Sequence, residues 1–232
     1  MYTVAVMSEN LTGKRILVVG GARGIGAEIV RRTGLAGADV VVATRSGPEV
    51  QIDVTDETTI ARAAESLGAF DHVISTASAH HDVPVPDLEH DKIQAAFSAK
   101  VVGPLLLAKH FAPRMPADGS FLFFSGIVGW QPKPGTVVKG TANAALAALV
   151  THLAVELAPL RINAIAPGIT DSGTWDRLPN ERRRALYDSA SAASLAGRVG
   201  TLEDVTDTAL WLLSAGWVTG ETVHVDGGAR HR

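Results

Sequence analysis

The chain of 232 residues predicts an α/β fold: a single doubly wound domain spanning 1–232, with a parallel seven-stranded sheet and helices on both faces. Three observations carry this. Short β-branched runs alternate with longer Ala/Leu-rich stretches, a glycine cluster falls between the first run and the first amphipathic stretch, and no repeat, linker or second core interrupts the series.

Taken in order, residues 16–19 read as a buried strand and 25–35 as the helix after it. Strands at 39–44 and 50–54 follow, then a helix over 56–67 and a fourth strand at 71–76. One long helix is expected over 88–111, a fifth strand at 120–125, and a breaker-poor Ala/Leu helix over 137–157. The sixth strand, 161–165, is ended by Pro167-Gly168. Residues 172–197 mix polarities, carry Pro179 and three consecutive arginines (182–184), and show no clean period. A helix over 202–214 and a strand at 222–225 close the chain.

Composition narrows the function classes. Net charge is −3 with both signs interspersed, so neither nucleic acid nor an anionic membrane is expected as a partner. Cysteine is absent, which removes disulfides, thiolate nucleophiles and Cys-based zinc sites together. Residues 1–10 lack a basic leader region, and no apolar run approaches the roughly 20 residues that span a bilayer. The expectation is a soluble cytoplasmic protein without a metal.

The glycine cluster is the strongest chemical signal. In Gly20-Gly21-Ala22-Arg23-Gly24-Ile25-Gly26, Gly20 permits the tight turn, Gly24 lets backbone approach a pyrophosphate, and Gly26 lets helix pack closely on strand. Free N–H groups at the helix start then face the phosphates. These features describe a dinucleotide-binding Rossmann domain. An acidic residue at the end of the second strand would bind a ribose 2′-hydroxyl and repel a 2′-phosphate. Here Thr44-Arg45-Ser46 stands instead, with Arg23 facing the same region, and two guanidinium groups suit a phosphate. NADP(H) is therefore favoured over NAD(H); the competing reading of Arg45 is a solvated loop charge. Asp53 and Val54 follow the third strand, where a carboxylate and a backbone N–H suit adenine.

At this point the sequence resembles the short-chain dehydrogenase/reductase family over nearly its whole length. The glycine loop, Asp53-Val54, Pro167-Gly168-Ile169-Thr170-Asp171-Ser172, Gly197-Arg198-Val199-Gly200 and Val225-Asp226-Gly227-Gly228 occur in the family's order. The resemblance implies that Pro167, Gly168, Thr170 and Ser172 hold the nicotinamide amide. It also implies that Thr76, Ala77 and Ser78, which replace most of the family's Asn-Asn-Ala-Gly, line the cofactor. It further implies a substrate lid at about 172–197, a small-molecule substrate, and a homodimer or homotetramer built through the long helix and the C-terminal segment. Small residues such as Ala142, Ala145, Ala148 and Ala154 on that helix allow another backbone to approach, or pack only on this chain's own sheet.

The family's catalytic pattern is altered. Its members carry an Asn in the fourth helix, a Ser after the fifth strand and a Tyr-x-x-x-Lys in the following helix. Those positions correspond to Lys100, Gly126, Lys139 and Asn143, with Ser125 one residue before Gly126. The chain has two tyrosines, Tyr2 and Tyr187, and neither is near the start of the long helix. One reading keeps reduction: Lys139 stabilises a developing alkoxide and donates the proton, Lys100 is its charged neighbour, Asn143 bonds the ribose, and Ser125 donates if it points inward. The other keeps cofactor binding for a sensor, scaffold or non-redox enzyme. Trp130, Gln131 and Trp175 are candidates for pocket walls. His80, His81 and Asp82 form a metal-like set with no third spaced ligand beyond the loop.

Overall fold

The computed structural model describes residues 11–47 and 50–232; the reading of 1–10, Tyr2 included, lies outside them. Seven strands form one parallel sheet in the order β3-β2-β1-β4-β5-β6-β7. They are β1 Arg15–Val19, β2 Asp39–Thr44, β3 Val50–Gln51, β4 His72–Ser75, β5 Ser120–Phe124, β6 Arg161–Pro167 and β7 Thr222–Val225. The order reverses between β1 and β4, the point at which such sheets open a ligand crevice beyond their carboxyl ends.

Alternation along each strand builds two cores. Leu17, Val73, Phe121, Phe123 and Ile162 point to one face, where α2 (Glu57–Leu67), α4 (Gly103–Phe111) and α5 (Val137–Glu156) cover them. Ile16, Val18, Ile74, Leu122 and Ile165 point to the other, against α1 (Gly24–Leu35) and α7 (Leu202–Ser214). Local chemistry sets the ends: Asp56 caps α2 by accepting from Thr58 N, and Thr201 with Asp204 forms a capping box on α7.

Four expectations change. The third strand is two residues long, because the chain leaves the sheet at Ile52 and turns at Asp53, whose carboxylate accepts from Thr55 N and Oγ1. The helix expected over 88–111 is α3 (His90–Phe97) joined to α4 through a π-turn, Ser98–Val102, in which Gly103 N donates to Ser98 O. The patternless segment contains α6, Asn180–Ala193; it has no buried residue, so no apolar period marks it.

The fourth concerns membrane length. Against the expectation of no such run, the 20 residues of α5 have a mean hydropathy of 1.2, long and apolar enough to cross a bilayer by length and composition. In the fold Val138, Ala142, Leu146, Val150 and Leu153 of this helix are buried, the last three within the core on that face of the sheet. Its opposite face presents Val137, Ala144, Ala148 and Val155.

Candidate functional site

The glycine loop, the segment after β4 and the segment after β6 meet at the carboxyl ends of β1, β4 and β6. Gly20 has φ 87°, and a Cβ on it would lie 2.6 Å from Thr76 Oγ1. A Cβ on Gly26 would lie 2.3 Å from Gly20 O, so the start of α1 sits directly on the turn that precedes it. Thr76 locks this contact: its N donates to Val19 O and its Oγ1 to Gly20 O. A Cβ on Gly24 would lie 3.0 Å from Ser172 O, which brings the segment after β6 to the same loop.

The residues that the sequence singles out for a dinucleotide differ in exposure and in commitment. Ala22 and Arg23 are exposed at the start of α1, with Ile25 half-buried behind them. Arg23 and Arg45 form no ion pair with the described residues, and both are exposed, as is Ser46 beside the half-buried Thr44. Asp53 uses one carboxylate oxygen in its own turn, and Val54 is buried against Gly103. Ala77 is half-buried, and Ser78 is exposed with its hydroxyl beside His80 Nε2. Pro167 ends β6, and Gly168 lies tight against Asp226. Thr170 and Ser172 are buried, Thr170 Oγ1 donating to Gly168 O and Ser172 sharing a hydrogen bond with Thr174.

The candidate catalytic residues lie around the corner that follows β5. Lys139, on the first turn of α5, makes an ion pair with Asp82 of the loop after β4, Nζ to Oδ2 2.8 Å. Lys100 lies on the π-turn and is buried, its Nζ donating to Phe124 O. Burial, with Lys139 as the nearby like charge, lowers its pKa to about 8. Asn143 is buried behind the corner, its Nδ2 donating to Gly126 O at 3.3 Å. The amide therefore lies under the turn, away from an open cofactor-facing surface.

Ser125 departs from its expected role. Its hydroxyl donates to Asn143 O at 3.0 Å, so its one proton is committed to the backbone of α5. Alternation along the strand gave no guide, since the chain leaves the sheet there. Tyr187 donates to Asp171 in the lid at 2.8 Å, and desolvation with that carboxylate pushes its pKa up to about 12. This phenol is a poorer acid than a free one.

The histidine pair is divided. His81 Nε2 accepts from Glu89 N and ties the loop to α3, while Asp82 faces Lys139. Trp130 stands edge-on to His224, and Gln131 donates to Ala229 O and Arg232 O, so both tie the turn after β5 to the C-terminus. Trp175 is half-buried in the lid. Sequence reasoning missed Asp82 as the partner of Lys139; a carboxylate beside an isolated lysine in an apolar helix is a signal only once both are known to border one crevice.

A family profile described as enoyl-(acyl carrier protein) reductase matches residues 20–230. The chain belongs to the short-chain dehydrogenase/reductase family. A crystal structure of a small-chain dehydrogenase in complex with NADPH is 34% identical, covers 95% of this chain and all of its own, and superposes with a TM-score of 0.89. Tropinone reductase-like 3 of Erythroxylum coca is 28% identical over 98% of this chain and 97% of its own length. The 3-oxoacyl-[acyl-carrier-protein] reductase FabG of Aquifex aeolicus is 26% identical over 96% and 99%. Short-chain dehydrogenases/reductases are oxidoreductases that bind NAD(P), and the glycine cradle just described has the shape such a cofactor requires.

Proposed function

We propose that this protein is an NADP(H)-dependent oxidoreductase that reduces a carbonyl or imine of a small organic substrate, with Lys139 in place of the family's tyrosine. The observation that carries this reading is the Lys139–Asp82 ion pair at the mouth of the crevice, which gives the lysine a fixed direction and a counter-ion. Exposed, uncommitted Arg23 and Arg45 with the hydroxyls of Thr44 and Ser46 would grip a 2′-phosphate, and the start of α1 would take the pyrophosphate. Asp53 and Val54 would read adenine. Ala77 and Ser78 would line the ribose side, and Pro167, Gly168, Thr170 and Ser172 would hold the carboxamide. Bound NADPH supplies the hydride.

The protein's own groups do the rest. Lys139 Nζ directs an N–H at the substrate oxygen or nitrogen, stabilises the negative charge developing there, and gives up the proton. Asp82 keeps the ammonium oriented before substrate arrives. Ser125 and Asn143 together brace the turn after β5. The lid, with α6 tied to Asp171 through Tyr187, covers the substrate from the other side. The outward apolar face of α5, where Val137 is 48% and Val155 79% exposed, supports assembly of this cytoplasmic enzyme as a homodimer or homotetramer.

One observation favours a second reading, an NADP(H)-binding sensor, scaffold or non-redox enzyme. Residue 126 is glycine and the Ser125 hydroxyl is committed, so neither position offers a free hydroxyl to polarise a carbonyl. The two readings separate on NADPH absorbance followed with ketones, quinones and imines, in the natural protein and in Lys139→Met. Loss of turnover in Lys139→Met with unchanged NADPH affinity is expected. Turnover that survives the substitution removes Lys139 from the reaction, and tight binding without oxidation across the panel favours the second reading.

A further inference from the structure

Arg177 stands in the lid without a counter-ion. The carboxylates nearest to it in the chain are engaged elsewhere: Asp176 pairs with Arg183 at 2.6 Å, and Asp171 accepts from Tyr187. Arg177 itself is exposed and forms no ion pair among the described residues. Its charge bears instead on His80, in the loop after β4.

His80 is open to solvent, and its Nε2 shares a hydrogen bond of 3.3 Å with Ser78 Oγ. Desolvation, with Lys139, Lys100 and Arg177 as like charges, nevertheless lowers its pKa to about 4. A ring that is both accessible and closely surrounded by protein belongs to the wall of a concave site. The same loop closes onto the approach to α5, where a Cβ on Gly135 would lie 3.7 Å from Val83 C.

The charges that bear on His80 do not balance. Lys139, Lys100 and Arg177 are positive, and Asp82 is negative but already paired with Lys139. Lys100 is buried with its Nζ on Phe124 O, so it adds to the field without reaching a ligand. Two cations are thus left without a carboxylate, and of these Arg177 is the exposed one. A cleft lined by one sign of charge, with low-dielectric walls, concentrates a ligand of the opposite sign. The guanidinium is planar and meets a carboxylate with two parallel N–H groups, and a neutral imidazole carries one further donor.

We propose that the crevice takes an oxo acid, its carboxylate resting between Arg177 of the lid and His80 of the loop after β4 while its carbonyl lies at Lys139. The carbonyl half of this rests on the reductase reading; the carboxylate half does not. The carbonyl carbon gains hydride from NADPH and the oxygen gains a proton from Lys139, giving a hydroxy acid and NADP+ with the carboxylate unchanged. Arg177 and His80 set specificity and take no part in bond making.

The test compares α- and γ-oxo acids with their methyl esters, which keep the carbonyl and lose the charge. NADPH absorbance gives turnover. Calorimetric titration of the NADPH-loaded protein with the saturated acid and its amide, neither of which is reduced, gives binding. The acids should exceed their esters in kcat/KM by about tenfold or more. Arg177→Gln should raise KM for the acids about tenfold or more with a far smaller change for the esters, and Arg177→Lys should return part of that loss.

Equal kcat/KM for acids and esters, or equal losses for both in Arg177→Gln, would overturn the proposal. So would a matching loss of NADPH affinity in that variant, which would assign the arginine to the cofactor. Turnover of esters and neutral ketones without a preference for acids refutes the oxo acid and leaves the reductase reading standing. Binding of the saturated acid that depends on Arg177, with no turnover of any carbonyl, refutes the reductase reading and leaves the carboxylate site standing.

Discussion

Alanine at Gly26 would drive the start of α1 against the turn that feeds it. The added methyl carbon falls 2.3 Å from Gly20 O and 2.9 Å from Thr76 Oγ1, about 1 Å inside the 3.4 Å where ordinary contact begins. The obstructing atom is backbone, held by the Thr76 hydrogen bond, so no side-chain rotation relieves it. Overpacking of this kind costs about 1–3 kcal/mol of stability. The larger effect falls on the cofactor. A shift of that size breaks at least one N–H contact to a phosphate, worth about 1.5–3 kcal/mol, so the NADPH Kd should rise by about tenfold to a hundredfold. Isothermal titration gives the affinity, and urea unfolding the stability. Gly34, in the same helix, has nothing within 4 Å of an added Cβ and is exposed, so Gly34→Ala should stabilise by roughly 1 kcal/mol and leave NADPH binding unchanged. Native NADPH affinity in Gly26→Ala would show that the close approach has no part in cofactor binding.

Three further outcomes follow from the same geometry. Arg45→Ala and Arg23→Ala should each weaken NADPH about tenfold or more while leaving NADH affinity nearly unchanged, because only the former carries the 2′-phosphate; equal losses for both cofactors would place the guanidiniums elsewhere. Asp82→Asn should lower turnover by about tenfold but cost less than about 1 kcal/mol of stability, since the pair is half-exposed; steady-state kinetics beside urea titration measures the split. His72 is held neutral by burial, helped by the nearby Arg161 charge, with its pKa lowered from 6.5 to about 4, and its ring shares a hydrogen bond with Ser120. Between those values the unfolded chain binds a proton that the folded one does not. Stability is therefore complete above 6.5 and declines by up to about 3 kcal/mol as pH falls toward 4. His72→Gln should flatten that limb in urea titrations run across the range, and an unchanged slope would assign the acid limb to other groups.

The sheet was legible because β-branched runs buried on both faces leave little else for those residues to form. Asp39–Thr44 and Thr222–Val225 match the expected strands to the residue. The glycine loop was legible because its chemistry is local: the turn, the close approach and the helix start all lie within seven residues. The bounds of the lid helix were not legible because α6 buries nothing, although the run after Pro179 contains no glycine or proline before Gly197. The register that set Lys139 and Asn143 one turn apart was local as well. Their partners were not. Asp82 is 57 residues from Lys139, and Phe124 is 24 from Lys100, so only the folded chain brings them together. The direction of Ser125 belongs to neither class, since it is fixed by a carbonyl one strand-to-helix connection away.

The wide turn at Ser98–Val102 gives the site an unusual genetic dependence. A π-turn is an α-helix holding one residue more than its hydrogen-bond ladder needs. Removing a single codon there would leave a regular helix, yet every residue beyond the cut would turn by about 100° relative to those before it. Lys100 would lose its aim at Phe124 O, or α4 would lose the face that carries Leu107 and Phe111 into the core. The chemistry of the corner is thus written partly in the length of the chain, and insertions or deletions at this turn would alter it as surely as any change of side chain.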